Sequence, residues 1–278
     1  MRDAAREFLL KVWNVYSFFV TYANLYEKDA PWTAAHPRPA VSERSDLDRW
    51  ILAELDFTVR KVRAELDGYT AHQAVRHVTS FVDSLSNWYV RRSRPRFWAE
   101  GDGADKQAAF ATLYEVLVEL CRLVAPFVPF VAEAMYGNLC AGDDSVHLAP
   151  FPTPNDERAD DALRESVALA RQLVTAGNRV RNEAKLKVRQ PLGEAIVVVA
   201  NDEERAAIER FSDAIREELN VVSLAFTTEP AKYVDFQLLP NFPKLGPRLG
   251  KELLVCKSVP ASTARRFTRN CRSRARSP

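Results

Sequence analysis

The stretch Ser86-Asn-Trp-Tyr-Val-Arg-Arg-Ser-Arg-Pro-Arg-Phe-Trp98 combines four arginines with two aromatic pairs. Arginine presents a planar fork of donors that suits phosphate groups, and aromatic faces can stack on unpaired bases. Two interpretations are open: a nucleic-acid surface, or aromatics that fill a hydrophobic core beside solvated arginines. Pro95 lacks an N–H and disfavours helical geometry at the preceding residue, so we expect an incoming helix to end near this point. The candidate RNA-binding residues of the first interpretation are Arg91, Arg92, Arg94 and Arg96.

Apolar residues recur at helical spacing on both sides of this stretch. One predicted helix begins at a capping box of Ser45 and Asp48 and ends at Gly68, and the next begins at a capping box of Thr70 and Gln73. This second helix runs into the arginine stretch, so Trp88 and Tyr89 are expected to serve stability if they continue its apolar stripe. Further helices are predicted over residues 3–26, around the stripe Phe110, Leu113, Leu117, Leu120 and Val124, and through Leu139. Long helices with short links predict an up-and-down helical bundle.

The pattern changes after residue 156. A helix is followed by a basic segment over residues 179–189, a short buried strand over 195–200, a helix over 202–219 and a strand over 221–227. Residues 233–238 alternate with a period of two and predict a third strand. The order of strand, helix and strand predicts a small α/β domain, with a right-handed crossover if the strands are parallel. The predicted fold class is therefore mainly α, a helical bundle followed by a small α/β domain.

The basic segment offers a second candidate RNA surface. In an extended chain Lys185, Lys187 and Arg189 would share one face, and Leu186 and Val188 would turn to the other. This alternation predicts a strand edge with a basic outward row. The alternative is an edge strand on which lysines prevent aggregation and no RNA binds. The candidate residues of this surface are Lys185, Lys187 and Arg189.

Composition limits the remaining classes of function. The 278 residues carry a net charge of only +2, so nucleic acid would have to be met by a local basic patch. The four cysteines form no Cys-x-x-Cys pair, which argues against a zinc site or a disulfide framework and favours a reducing cytoplasm. Polar residues interrupt the apolar stretch 8–26 at steps of three or four, which predicts an amphipathic helix and no membrane span.

The wording of several segments resembles isoleucyl-tRNA synthetases, a family of class I aminoacyl-tRNA synthetases. Residues 86–98 resemble a hallmark of the helical anticodon-binding region, and residues 123–133, 181–192 and 240–250 also carry the resemblance, which spans about 8–251. It implies an anticodon-binding helical bundle at 1–150 and a small α/β domain at 151–251. Residues 252–278 form a serine- and arginine-rich tail for which we expect disorder, because it offers little apolar area to bury.

The resemblance implies that the parent enzyme activates isoleucine with ATP and esterifies it to tRNA. The His-x-Gly-His and Lys-Met-Ser-Lys-Ser signatures that handle ATP phosphates in class I synthetases do not occur in this sequence, and its histidines are isolated. We therefore expect no catalytic residue, metal ligand or cofactor in this chain, which alone is predicted to lack catalysis. ATP and magnesium are implied only for the absent catalytic domain.

The expected function is recognition of the anticodon arm of tRNA, specific for isoleucine by the resemblance. The expected partners are tRNA and, if it is supplied separately, the missing catalytic domain; no membrane is expected. Two alternatives keep the same residues: a stand-alone RNA-binding module, and an inactive truncated fragment.

Overall fold

The computed structural model of the protein describes residues 8–26, 31–140 and 145–229. The chain divides into two compact units after Gln172. We call them the helical unit, up to Gln172, and the α/β unit, from Leu173. The predicted fold class, mainly α with a small α/β part, is confirmed. The domain bounds at 150 and 251 stay predictions, and the expected third strand and tail lie outside the described residues.

The α-helices that lie wholly within the helical unit have seven to twenty-two residues. They are, in chain order, α1 (Leu10–Asn24), α2 (Asp46–Asp67), α3 (Ala71–Ser84), α4 (Arg91–Phe97), α5 (Ala104–Val124) and α6 (Pro129–Cys140), and α7 (Asp161–Glu183) begins in this unit. In α1 the buried residues Val12, Val15, Phe19 and Ala23 recur at helical spacing, as expected of an amphipathic helix. Across the described ranges, every helix falls short of the length and apolar character that crossing a bilayer requires.

The core of the helical unit lies around α2 and α5. The predicted stripe of α5, from Phe110 to Val124, is buried throughout, and so are Ile51, Leu55, Val59 and Val62 of α2. Trp50, Leu52 and Ala53 are buried as well, so the turn of α2 from Trp50 to Ala53 is covered on all sides. Each large apolar side chain buried in this way contributes about 1.5–3 kcal/mol relative to exposure.

One of the two predicted capping boxes is made only in part, and the other is wrong. The Ser45 hydroxyl accepts a hydrogen bond from the Asp48 N–H (3.3 Å) and so caps α2, but the Asp48 carboxylate accepts from the Ser45 hydroxyl and not from the Ser45 backbone N–H. Thr70 makes no cap: its hydroxyl donates back to the Glu65 carbonyl (2.9 Å) at the end of α2. That carbonyl is one of the groups that a helix end leaves unsatisfied, and Thr70 serves it instead of α3.

The helix does end near Pro95, at Phe97, but the expectation that the proline disfavours helical geometry at Arg94 is wrong. A π turn over Leu85–Val90 follows α3 directly, and α4 continues to Phe97 with Pro95 inside it. Pro95 lies in the last turn of α4. Its missing N–H therefore removes one backbone hydrogen bond, close to the residue at which the helix ends.

The α/β unit pairs β1 (Leu192–Val198) with β2 (Val221–Thr227) in parallel, in the register Leu192 to Val221. The predicted single helix between the strands is instead two helices, α8 (Asp202–Glu209) and α9 (Ser212–Leu219). Ile208, Phe211, Ile215 and Leu219 are buried on both sides of this break. The apolar spacing continues across it, so the periodicity gave no sign of two helices.

Candidate nucleic-acid interface

The side chains of helix α4 fall into three groups that differ in exposure. Ser93 and Phe97 are buried, Arg92 and Arg96 are partly buried, and Arg91 and Arg94 are exposed. A rotation of 100° per residue places Arg91 and Arg94 on one side of the helix, with Trp98 following at its end. The four predicted arginines therefore do not form one surface.

The π turn before α4 determines which of these residues are buried. In an uninterrupted α-helix Arg92 and Arg96 would fall in line with the buried residues Ala74, Val78 and Leu85 of the preceding segment. The π turn takes in one extra residue, so the buried line passes to Ser93 and Phe97. Arg92 and Arg96 are thereby turned to the edge of the core, where both are partly buried.

Arg96 is held by carboxylates. Its Nη1 and Nη2 donate to the two carboxylate oxygens of Asp48 at 2.9 and 2.6 Å, and its Nε donates to Asp105 at 2.9 Å. The Asp48 side chain is 0% exposed and that of Arg96 is 14% exposed. This bidentate pair fixes the end of α4 to the start of α2. The geometry gives Arg96 a structural role, which is the alternative to the RNA contact predicted from the sequence for the same guanidinium; that contact is not tested by the structure.

Tyr89 completes the group around Asp48. Its hydroxyl donates to the Asp48 carboxylate at 2.7 Å, and Ser45 donates to the same carboxylate at 2.7 Å. Burial raises the pKa of Tyr89 well above its usual range, and the Asp48 charge acts in the same direction. The phenol therefore remains a neutral donor that helps to satisfy a buried carboxylate.

The two tryptophans of the stretch differ in exposure. Trp88 is buried, and the Arg92 guanidinium lies 4.4 Å from the centre of its ring, a cation–π geometry. Trp98 is 54% exposed and contacts Tyr22, with ring centres 5.9 Å apart. Only Trp98 of this pair offers ring surface to a ligand, and it does so beside Arg94.

The predicted basic strand of the α/β unit is wrong. Helix α7 ends in a Schellman motif, in which the Lys185 N–H bonds to the Asn182 carbonyl (3.0 Å) and the Leu186 N–H to the Arg181 carbonyl (2.8 Å). Lys185 has a φ of +57° at the position where glycine is usual. The chain then turns again and enters β1 at Leu192. The end of helix α7 determines the conformation of this segment, and the alternating charges do not make it a strand.

The three predicted basic side chains are nonetheless all exposed. Lys185, Lys187 and Arg189 lie on this connection, which we call the basic loop (residues 184–191). Arg181, one of the charges of the basic segment predicted as an RNA surface, is instead buried just before the loop and bonds to the loop backbone. A buried arginine inside a basic segment has no local sequence signal that separates it from its exposed neighbours.

The described residues offer little to a metal ion or a nucleophilic reaction. No group of three or more His, Cys, Asp or Glu side chains within them could hold a metal. Burial raises the pKa of Cys121 to about 12, which keeps this thiol protonated and unreactive. Arginine and lysine side chains with an exposed indole are groups that can contact phosphates and stack on bases.

Comparison with known proteins agrees with this chemistry. A family profile described as the anticodon-binding domain of tRNA ligase matches residues 48–198. Isoleucine–tRNA ligase of Deinococcus radiodurans is 47% identical over 257 residues, or 92% of this chain and 23% of the relative. The corresponding proteins of Bacillus thuringiensis (strain Al Hakam) and Dehalococcoides mccartyi (strain 195) are 41% and 46% identical over 90% and 80% of this chain.

The chain thus spans less than a quarter of the length of these curated relatives. The profile match, in contrast, covers more than half of the chain and includes both the arginine stretch and the basic loop. The chain belongs to the family of anticodon-binding domains of tRNA ligases.

Proposed function

We propose that this chain binds the anticodon arm of a tRNA, and that it does so as the RNA-recognition part of an isoleucine–tRNA ligase. Its share is to hold the tRNA while a catalytic domain that this sequence does not contain uses ATP and magnesium to attach isoleucine. The observation that carries the proposal is the exposed side of α4, which Arg91 and Arg94 share and at whose end the half-exposed Trp98 follows.

The chemistry of that side suits an RNA loop. Guanidinium groups on consecutive helical turns can contact successive phosphates, which supply most of the affinity for nucleic acids. An indole with free ring surface beside them can stack on a base that is unpaired, as anticodon loop bases are. The specificity for isoleucine tRNA is proposed from the names of the relatives.

Binding of the whole chain to an isoleucine tRNA transcript, measured by fluorescence anisotropy between 50 and 200 mM salt, tests this proposal. Replacing Arg91 and Arg94 together with glutamine should lower the slope of log affinity against log salt by about 1.8, or about 0.9 for each lost phosphate contact. Arg76 is a matched control, because it is exposed on α3 and bonds to Gln73 within its own helix. Its change to glutamine should leave the slope unaltered.

A second comparison tests the anticodon arm itself. The same transcript with a replaced anticodon loop should bind more weakly, whereas changes confined to the acceptor stem should not matter. Equal affinity for all transcripts and for an unrelated RNA hairpin, or no binding at low salt, would overturn the proposal.

A further inference from the structure

Arg181 is a buried cation surrounded by backbone carbonyls. It is 4% exposed and lies near the end of α7, just before the basic loop. Its Nη1 donates to the Leu219 carbonyl at 2.9 Å. Its Nη2 donates to the Lys187 carbonyl at 2.7 Å, to that of Val188 at 3.3 Å and to that of Gln190. Among the described residues it has no carboxylate partner.

These acceptors belong to two different elements. Leu219 is the last residue of α9, whose carbonyls are left unsatisfied at the helix end and favour a cation. The other three carbonyls belong to the basic loop. Nη1 and Nη2 of one planar guanidinium therefore connect the end of α9 to the loop. A lysine has a single ammonium nitrogen, so it cannot reproduce these two separate donor positions.

The arrangement fixes which way the loop faces. Three loop carbonyls turn inward to Arg181, and the side chains of Lys185, Lys187 and Arg189 are exposed. A second tether acts on the same loop, because the Asn220 side-chain amide donates to the Val188 carbonyl at 3.1 Å. The loop is thus held in one conformation by bonds that use none of its basic side chains.

We propose that Arg181 is a positioning residue that preorganises the basic loop for binding to RNA phosphates. The proposal rests on the proposed function, since it takes tRNA as the ligand, and it adds a second contact surface and the residue that shapes it. A preformed loop loses less conformational freedom on binding, and its three cations meet the phosphate backbone together. Arg181 itself, being buried, does not contact the RNA.

The test compares Arg181→Lys with Arg179→Lys in the whole chain. Both substitutions keep the charge, so neither changes the net electrostatic attraction to RNA. Arg179 lies on the same helix, is 81% exposed and pairs with Glu183. Three quantities are measured: the salt slope of affinity for the isoleucine tRNA transcript, hydrogen exchange at the amides of Leu186 and Gln190, and the thermal unfolding midpoint.

A reference variant defines the contribution of the loop. Changing Lys185, Lys187 and Arg189 together to glutamine should lower the salt slope by about 2.7. Arg181→Lys should lower it by more than one unit and speed exchange at both loop amides, whereas Arg179→Lys should change neither. In the Arg181→Lys background, the triple change should lower the slope by less than about 1.7 further units, because part of the loop's total of about 2.7 is already lost.

The possible failures are distinct. If the parent chain binds no tRNA, the proposed function fails; if it binds but the triple glutamine variant matches it, the loop is no RNA surface and this inference alone fails. If the loop matters but Arg181→Lys keeps the parent slope or the parent exchange rates, Arg181 is not a positioning residue. If Arg181→Lys does not fold, Asn220→Gly removes the second tether and retains the left-handed backbone (φ +48°). A parent salt slope in that variant, despite faster loop exchange, would overturn the inference.

Discussion

Replacing Arg96 with glutamine is expected to lower the free energy of unfolding of the helical unit by about 3–5 kcal/mol, the cost of removing one partner of a buried ion pair. The substitution removes two charge-assisted hydrogen bonds, at 2.9 and 2.6 Å, from a carboxylate that is 0% exposed. Among the residues that the structure describes, Asp48 would retain only the Tyr89 and Ser45 hydroxyls as side-chain donors. The bond to Asp105 adds at most about 1 kcal/mol, because that carboxylate is two-thirds exposed.

Urea unfolding followed by tryptophan fluorescence measures this change without interference from the α/β unit. All five tryptophans of the chain lie at or before position 98, so the signal comes from the helical unit alone. Arg94→Gln is the matched control: it makes the same substitution on the same helix at an exposed position, and should alter stability by no more than about 0.5 kcal/mol.

The two variants should also separate in RNA binding. Arg94→Gln should lower the salt slope for tRNA by about 0.9, and Arg96→Gln should leave it unchanged at temperatures where the variant is folded. Combining Arg96→Gln with Asp48→Asn should destabilise by less than the sum of the single changes, since the two side chains interact directly. A loss below about 1 kcal/mol for Arg96→Gln together with a reduced slope would refute the structural role and make Arg96 an RNA contact.

Three further outcomes are expected. Tyr89→Phe should lower stability by about 1–3 kcal/mol at neutral pH. Burial raises the pKa of this phenol, so the unfolded chain loses the proton first, and the difference from the parent should shrink as pH rises above about 10. Lys185→Gly should slow hydrogen exchange in β1, because glycine relieves about 1 kcal/mol at a left-handed position, and should lower the tRNA salt slope by about 0.9. Cys121 should resist iodoacetamide at pH 8 in the native protein and react after unfolding, as peptide mass spectrometry would show.

Each of these outcomes has a contrary result. A constant difference between Tyr89→Phe and its parent from pH 7 to 11 would mean that the phenol is not held neutral. Lys187→Gly is the control for Lys185→Gly, because it removes the same charge from the same loop, and equal stability of the two variants would contradict the strain. Labelling of native Cys121 at the rate of the unfolded chain would show that its thiol is accessible.

Apolar periodicity predicted most of the helices, because burial on one side leaves a repeating trace in the sequence. The apolar run 195–200 correctly predicted a strand, but β1 begins at Leu192 and the expectation that it is buried is wrong, since Ile196 and Val198 are exposed. It could not reveal the partner of Arg96, since Asp48 lies far upstream and nothing local links the two. The π turn could not be predicted for a similar reason: the residues of Leu85–Val90 include none whose type marks an extra residue in the helix. The basic loop misled because alternating charges fit an exposed turn as well as a strand.

The π turn over Leu85–Val90 also determines which changes in chain length the arginine stretch can absorb. It holds one residue more than an α-helix of the same span, so removing Ser86 or Asn87 would leave a regular helix with Ser93 and Phe97 still on the buried side. Helices α3 and α4 contain no such extra residue. Deleting one residue within either of them would therefore rotate the helical residues that follow by about 100° around the helix axis. The exposure of Arg91 and Arg94 thus depends on the number of residues between α3 and α4 as well as on the identity of those residues.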